Sequence, residues 1–354
     1  MSMAITITNI LIPALIAFVI GIAITPIVTH FLYKHKVWKK TGGKIAMNGT
    51  EATVFNELKG KDEHKTPRMG GIVIWGSVLL TLLLNFSLAS WFDYEFVQGL
   101  DFLSRSQTLI PVFALLAGAG IGWLNDFYDV THDGTGLRLS IRLLLILLLS
   151  ALLGWWFYAK LDVSTINIPF DGSVDLGVLI IPFFILLTVG LYASGVIDGI
   201  DGLSGGVFAA IFAAYAGIAL TQMQYDIAAF CATVVGALLA FLWFNVPPAR
   251  YWMTETGTMA LTLALAAVVF MTDSLGDGYG IALLPIVGLP LIATVFSNVL
   301  QIGYRKITGR KLFRIAPLHH HFEAIGWPSY KVTMRYWIIS GICAVIGVIL
   351  ATLA

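Results

Sequence analysis

Charged residues are scarce in this chain of 354 residues, because they make up only 12% of it while apolar residues make up 58%. Soluble domains have about 25% charged residues, so a soluble globule of this length would lack polar surface. Cysteine is almost absent, with only Cys231 and Cys343. A disulfide scaffold is therefore excluded, and both cysteines lie in apolar runs, where reduced packing residues are expected. The formal net charge of +1 gives no indication of nucleic-acid binding. The high apolar fraction and the low charged fraction together indicate an integral membrane protein.

Ten apolar runs of membrane-spanning length follow one another along the chain. They lie at about residues 10–32, 70–92, 108–124, 139–159, 176–197, 202–220, 227–246, 256–271, 281–302 and 332–353. The eighth run is short, and Pro285 and Pro290 are expected to kink the ninth. Residues 166–174 alternate and then turn, which predicts a small hairpin between two spans. The expected fold class is an all-α polytopic membrane protein of about ten transmembrane helices.

Lysine and arginine are distributed unevenly between the two sets of loops that these spans create. Of the 21 lysines and arginines, all except Arg105 and Lys160 lie in the loops of one side. Since basic loops stay in the cytoplasm, both termini are predicted outside. A single membrane domain over residues 1–354 is expected, with cytoplasmic loops at about 33–69, 125–138, 197–202, 247–255 and 303–331.

Three carboxylate-containing segments lie at the predicted cytoplasmic ends of spans. Asp126, next to Asn125, lies where hydrocarbon is expected to meet water. At that depth it can bind a metal or a lipid headgroup, or it is an ordinary interfacial carboxylate. Asp198 and Asp201 are flanked by glycines and can share a face toward a ligand, or they cap the next helix. Glu255 can bind Mg²⁺, which prefers oxygen ligands, or it is an acid favoured at a helix N-terminus.

Three successive histidines, His319, His320 and His321, lie in the last predicted cytoplasmic loop. They cannot all face one way on a helix, so a single zinc site is not expected. In a basic loop they suit hydrogen bonding to phosphate, and the alternative is a solvated surface run.

Cations near the predicted membrane surface form the last group. Lys65 and Arg68 precede the second span, where they can clamp an anion or form the basic flank of any such helix. Arg142 lies inside a span and needs a partner or a lipid phosphate. Carboxylates, cations and histidines on one face of an apolar bundle fit Mg²⁺-dependent chemistry on a phosphate-bearing substrate. An ion pathway would need polar residues at mid-membrane, and the spans have few, so an enzyme is favoured over a transporter.

Several segments together resemble one known family. They are FRIAPLHHHFE at residues 313–323, GWP at 326–328, RYWIIS at 335–340, FLWFN at 241–245 and TPRMGG at 66–71. In this order they are similar to the phospho-N-acetylmuramoyl-pentapeptide transferases, within the polyprenyl-phosphate N-acetylhexosamine-1-phosphate transferase superfamily. The similarity runs from about residue 60 to the end, and the triple-histidine segment is specific to this family.

The resemblance implies transfer of phospho-MurNAc-pentapeptide from UDP-MurNAc-pentapeptide to undecaprenyl phosphate, which yields lipid I and UMP in peptidoglycan synthesis. It also implies Mg²⁺ as cofactor, a homodimer among membrane lipids, and no nucleic-acid partner. The implied location is the bacterial cytoplasmic (inner) membrane, with the active site facing the cytoplasm.

The resemblance also implies roles for residues at matching positions. Glu255 and Asp126 would bind the metal. The catalytic set would be Asn125, Asp126, Glu255 and His320. Substrates would be bound by Lys65, Arg142, Asp198, Asp201, Trp252, His319, His320 and His321.

The chain departs from the family pattern at several of these positions. Asn125 and Glu255 each stand where the family has an aspartate. Asp129 stands where a basic residue is usual. Arg142 replaces a lysine, and Trp252 falls where an aromatic residue stacks on uracil. Two alternatives therefore stay open, namely a related transferase that uses another UDP-sugar and a non-catalytic homologue.

Overall fold

The fold is a bundle of helices, which a computed structural model describes for residues 3–39, 66–132 and 136–354. The helices are α1 Met3–Lys34, α2 Gly71–Trp91, α3 Glu95–Gln98, α4 Leu109–Thr131, α5 Leu139–Leu161, α6 Ile180–Ser194, α7 Leu203–Thr221, α8 Tyr225–Asn245, α9 Thr254–Met271, α10 Gly280–Val287, α11 Leu289–Thr308, α12 Leu318–Ala324 and α13 Ser329–Leu353. Short 3₁₀ turns lie at Gly177–Leu179, Gly195–Ile197 and Ser274–Gly276.

In the described part of the chain, nine helices are long and apolar enough to cross a membrane, or ten if one bent pair counts as a single span. That pair is α10 and α11, which meet at an angle of 70°. Pro285 lies inside α10 and Pro290 at the start of α11. A proline there lacks the N–H that would continue the hydrogen-bond ladder, so the kink predicted for the ninth run takes the form of a break.

Helices extend past the ends of several predicted spans. Helix α4 continues to Thr131, although a loop was expected from residue 125, and α13 begins at Ser329 rather than at residue 332. Apolar side chains end where the surroundings become polar, whereas the backbone hydrogen bonds of a helix do not depend on side-chain polarity. As a result, Asn125, Asp126 and Asp129 lie on one helix rather than in a loop.

The predicted hairpin is confirmed. Strand β1, Thr165–Ile168, pairs antiparallel with β2, Gly172–Asp175, with Thr165 opposite Asp175 and Ile168 opposite Gly172.

Helix α9 lies at the centre of the bundle, and every one of its residues except Glu255 is buried. A helix that is apolar on all sides is expected in such a position. It packs backbone to backbone against α4 and α2, since a Cβ on Gly122 would lie 2.0 Å from the Glu255 carbonyl oxygen and one on Gly71 2.2 Å from Gly257 N. These approaches bring the polar end of α4 to the start of α9.

The outer helices turn large apolar side chains outward. On α5, Leu144, Leu148 and Leu152 follow at four-residue spacing and are 55%, 60% and 47% exposed. An apolar stripe of this kind faces lipid rather than water, and the chain is a multi-pass membrane protein.

Candidate active site

Asp126 is the most deeply buried carboxylate of the site, with no exposed surface. Its Oδ2 accepts hydrogen bonds from Thr254 Oγ1 (2.5 Å), Thr256 N (2.8 Å) and Thr256 Oγ1 (2.6 Å). The start of α9 therefore holds this carboxylate of α4 in one orientation. The N-terminal N–H groups of a helix lack intrahelical partners, which favours an anion there.

Thr254 has an unusual backbone, with φ of +53°, a region that a β-branched residue rarely occupies. Three contacts maintain it, because its N–H donates to Asp198 Oδ2 (2.8 Å), its hydroxyl donates to Asp126, and its Oγ1 accepts from Met69 N (3.1 Å). Met69 also has a positive φ, +66°. Strained residues of this kind cluster at functional sites, and here one threonine connects two carboxylates and the segment before α2.

Asp198 lies after the 3₁₀ turn Gly195–Ile197, and its Oδ1 accepts from Ser204 Oγ at 2.6 Å. Burial raises the pKa of the Asp198 carboxyl, while the hydrogen bonds from Ser204 and Thr254 lower it. The raised pKa shows that desolvation outweighs these bonds. A partly buried carboxylate with a raised pKa is a candidate for binding a cation or a proton.

Glu255 is the one residue of α9 that is only partly buried, and its Oε1 forms an ion pair with Arg142 Nη1 at 2.7 Å. The two side chains are 27% and 22% exposed. The sequence predicted that Arg142, which lies inside a span, needs a partner or a lipid phosphate, and Glu255 of α9 is a partner. The pair places a carboxylate and a guanidinium together beside Asp126.

Asn125 is buried and engaged on both sides of its amide. Its Oδ1 accepts from Leu137 N at 3.1 Å, and its Nδ2 donates to Asp126 Oδ1 at 3.4 Å. A carboxylate could not donate the second bond. The side chain therefore connects the segment before α5 to Asp126, which is a positioning role rather than that of a base.

Asp201 and Trp252 lie next to each other at the edge of the site. Asp201 Oδ1 accepts from Trp252 Nε1 at 3.1 Å, and Oδ2 accepts from Ala249 N at 3.0 Å. The carboxylate thus orients the indole ring, which is partly exposed and available for stacking.

His319 and His320, on α12, are 0% and 4% exposed and pack against the loop that contains Asp198. A Cβ on Gly199 would lie 2.6 Å from His319 Nε2 and 2.7 Å from His320 Nε2, so only glycine permits this approach. His320 Nδ1 lies 2.7 Å from Glu323 Oε2, which fixes the ring and turns Nε2 toward the loop.

His321 differs from its two neighbours. Its Nδ1 accepts from Arg314 N at 3.2 Å, and its ring lies 5.4 Å from that of Phe313. This contact orders the loop before α12. Lys65, the remaining residue expected to bind phosphate, lies outside the described residues.

The carboxylates of the site can supply only a few oxygen ligands to the expected Mg²⁺. In the described ranges, no group of three histidine, cysteine, aspartate or glutamate residues is arranged to hold a metal ion. Mg²⁺, however, keeps several waters and often uses only one or two carboxylates together with substrate phosphates. Glu255 and Asp126 fit that limited role, since Arg142 binds only Oε1 of Glu255 and the threonines bind Oδ2 of Asp126. The contacts of Asp126 Oδ1 are long, 3.4 Å from Asn125 Nδ2 and 3.9 Å from Arg68 Nη2.

The predicted residues around Asp126, Asp198 and Glu255 therefore converge, but sequence reasoning missed the groups that hold them. Thr254 and Thr256 flank Glu255 in the sequence, and hydroxyls at a helix start were the available signal. Glu323 lies three residues after His320, a spacing that brings side chains together on a helix.

Comparison with known proteins identifies the family of the chain. The model of glycosyl transferase family 4 matches residues 108–273. The phospho-N-acetylmuramoyl-pentapeptide-transferase of Anoxybacillus flavithermus is 33% identical over 342 residues, covering 96% of this chain and 97% of that protein. Those of a Geobacillus species (34% over 340 residues, 94% and 95%) and of Clostridioides difficile (32% over 353 residues, 98% and 99%) are similar as well. At this identity over nearly the full length, the chain belongs to the phospho-N-acetylmuramoyl-pentapeptide-transferase family of phosphosugar transferases.

Proposed function

We propose that this chain transfers phospho-MurNAc-pentapeptide from UDP-MurNAc-pentapeptide to undecaprenyl phosphate, forming lipid I and UMP. The observation that supports this most directly is the meeting of Asp126, Asp198 and Glu255 at the start of α9, beside Arg142 and the histidines of α12. In the reaction, an acceptor phosphate oxygen attacks the phosphorus that bears the sugar, the bond to the UMP oxygen breaks, and UMP leaves. Two anions must approach, so the site must offset their repulsion.

The donor is proposed to bind at the cytoplasmic edge of the site. Trp252, oriented by Asp201, offers a face for uracil, and His319 and His320 offer ring nitrogens to the diphosphate. Lys65 and His321 belong to the same proposal on the basis of the family resemblance. Arg142 is fixed by Glu255 and adds a guanidinium suited to phosphate.

The acceptor's lipid chain is proposed to lie in an apolar groove of about 290 Å³ between α6 and the bent pair α10 and α11. Its lining includes Leu187, Leu191, Leu284 and Phe296, and it reaches Ser194. Ser194 directly precedes the turn that leads to Asp198. An isoprenoid in this groove would thus bring its phosphate toward the carboxylates.

Mg²⁺ is proposed as the cofactor, held by Glu255 and Asp126, where it would neutralise charge on the phosphates. Arg142 keeps one Glu255 oxygen in place, and the threonines of α9 keep Asp126 from rotating. The same proposal includes a single membrane domain with a cytoplasmic active site, which the basic loops support. It also includes a bacterial inner-membrane location and a homodimer, which the family supports.

The test is UMP release by the purified protein in detergent, with Mg²⁺ and both substrates, omitting each in turn. Release that requires all three supports the proposal, and a Glu255→Gln protein provides a matched control of strongly reduced activity. Release with a different UDP-sugar instead would identify the related transferase. The absence of release with every donor, from folded protein, would favour a non-catalytic homologue.

A further inference from the structure

Arg68, for which the sequence left open an anion clamp or an ordinary basic flank, lies among the carboxylates of the site. Its Nη2 is 3.1 Å from Asp129 Oδ2 and 3.9 Å from Asp126 Oδ1. The Arg68 side chain is 17% exposed and that of Asp129 is 8% exposed. A guanidinium so enclosed belongs to the site rather than to the membrane surface.

The backbone around Arg68 is fixed from both sides. Arg68 N donates to Val37 O at 2.7 Å, and the neighbouring Pro67 O accepts from Trp252 N at 2.9 Å. Met69 N donates to Thr254 Oγ1, and Gly70 N donates to Trp252 O at 2.8 Å. The segment therefore runs along the residues that precede α9, and the Arg68 side chain is directed to α4.

Asp129 holds the guanidinium by one terminal nitrogen, which leaves most of its five N–H donors for other acceptors. In particular, Nε is buried and has no acceptor within residues 3–39, 66–132 and 136–354. An unmet buried donor of a charged group is unfavourable. A phosphate oxygen is the acceptor that a fork of guanidinium donors fits best.

Charge in the site gives a second reason. Asp126, Asp129 and Glu255 are three carboxylates in ion pairs, and the only guanidiniums paired with them in the described chain are Arg68 and Arg142. Arg142 is bound at 2.7 Å by Glu255. Arg68 is thus a second guanidinium, besides Arg142, that can face an entering anion beside Asp126.

We propose that Arg68 binds the diphosphate of the donor and that Asp129 is the positioning residue that holds its guanidinium. The aspartate at position 129 fixes a cation that comes from a different segment of the chain. The inference rests on the proposed function for the identity of the donor, but not for the binding of a diphosphate.

The experiment measures the affinity of the purified full-length protein for inorganic pyrophosphate, without lipid acceptor, in wild type and variants. Arg68→Ala should weaken binding about tenfold to a hundredfold, the size of a lost charged hydrogen bond. Arg310→Ala, which removes an exposed arginine from another loop, should leave the affinity unchanged. Unchanged binding in Arg68→Ala would overturn the proposal.

Asp129→Asn separates positioning from net charge. Removing a negative charge would tighten pyrophosphate binding if only net charge mattered, whereas loss of the contact that holds Arg68 should weaken it about threefold to tenfold. Tighter binding in Asp129→Asn would therefore contradict the positioning role.

The double variant Arg68→Ala/Asp129→Lys moves the cation to α4 and should recover at least part of the lost affinity; no recovery would contradict the proposal. Arg68→Lys, which keeps the charge, provides the comparison if Arg68→Ala does not fold. Wild type that binds pyrophosphate through Arg68 yet releases no UMP would refute the proposed function alone. If wild type releases UMP but Arg68→Ala binds pyrophosphate as tightly as wild type does, this inference alone would be refuted.

Discussion

Helix α9 has buried carboxylates at both ends, and the two ends use them differently. After its last turn, Asp273 is 1% exposed, and its two oxygens accept from Asn167 N and Ile281 N, each at 3.0 Å. These backbone donors belong to the hairpin and to α10. At the other end, Asp126 accepts from two threonine hydroxyls and lies near Arg68, and Glu255 pairs with Arg142.

The difference indicates which buried carboxylates are structural. Asp273 accepts from neutral backbone donors of the hairpin and of α10, so these bonds join three elements and maintain the fold. Asp126, Asp198 and Glu255 are gathered near one another, and like charges in a buried place are unfavourable unless a ligand or cation compensates them. A site that keeps such a cluster is a candidate for chemistry.

The largest effect is expected from Glu255→Gln. The amide keeps the shape of the side chain but removes the charge that faces Arg142 and the proposed metal. Turnover should fall about 10²- to 10³-fold, as for loss of one preorganised electrostatic group. UMP release measures this, with the thermal melting curve as the folding check. Full turnover would exclude Glu255 from the reaction.

His320→Ala should reduce turnover about tenfold to a hundredfold, the size of a lost charged hydrogen bond to phosphate. Glu323→Gln should have a smaller effect, about threefold to tenfold, because the ring remains but its partner at 2.7 Å changes. Steady-state rates of both variants test this order. A larger loss in Glu323→Gln than in His320→Ala would contradict the view that Glu323 acts through the histidine.

Asp273→Asn tests the opposite end of α9. One carboxylate oxygen is replaced by an amide NH₂ group, which cannot accept a hydrogen bond from a backbone N–H. The free energy of unfolding should therefore fall by about 1–3 kcal/mol. Chemical or thermal unfolding in detergent measures the loss. The turnover number of the folded fraction should not change, and a large fall in it would mean that the two ends are coupled.

A modest effect on turnover is expected from Asn125→Asp. The carboxylate can still accept from Leu137 N, but it replaces a donor 3.4 Å from Asp126 by a second negative group. Turnover should fall by about threefold to tenfold, comparable to one net hydrogen bond. A gain in UMP release would show instead that Asn125 limits this chain.

Much of the fold could be predicted from the sequence, because apolar runs of about 20 residues have few alternatives in a membrane. The hairpin and the kink at the prolines were predicted for equally local reasons. Helix ends were less predictable, so Asp126 and Asp129 were expected in a loop and lie on α4. The need of Arg142 for a partner was predictable, whereas its identity, 113 residues away, was not.

The sequence by itself determined the class of protein, the number of apolar segments and the identity of the polar residues at their ends. Those properties follow from composition and local patterning. Only the tertiary structure decided which of these residues meet, because the contacts of Asp126 with Thr254 and of Arg68 with Asp129 join distant parts of the chain. Glycines at the crossings of α9 set those distances, and packing, rather than local propensity, turned scattered charges into one site.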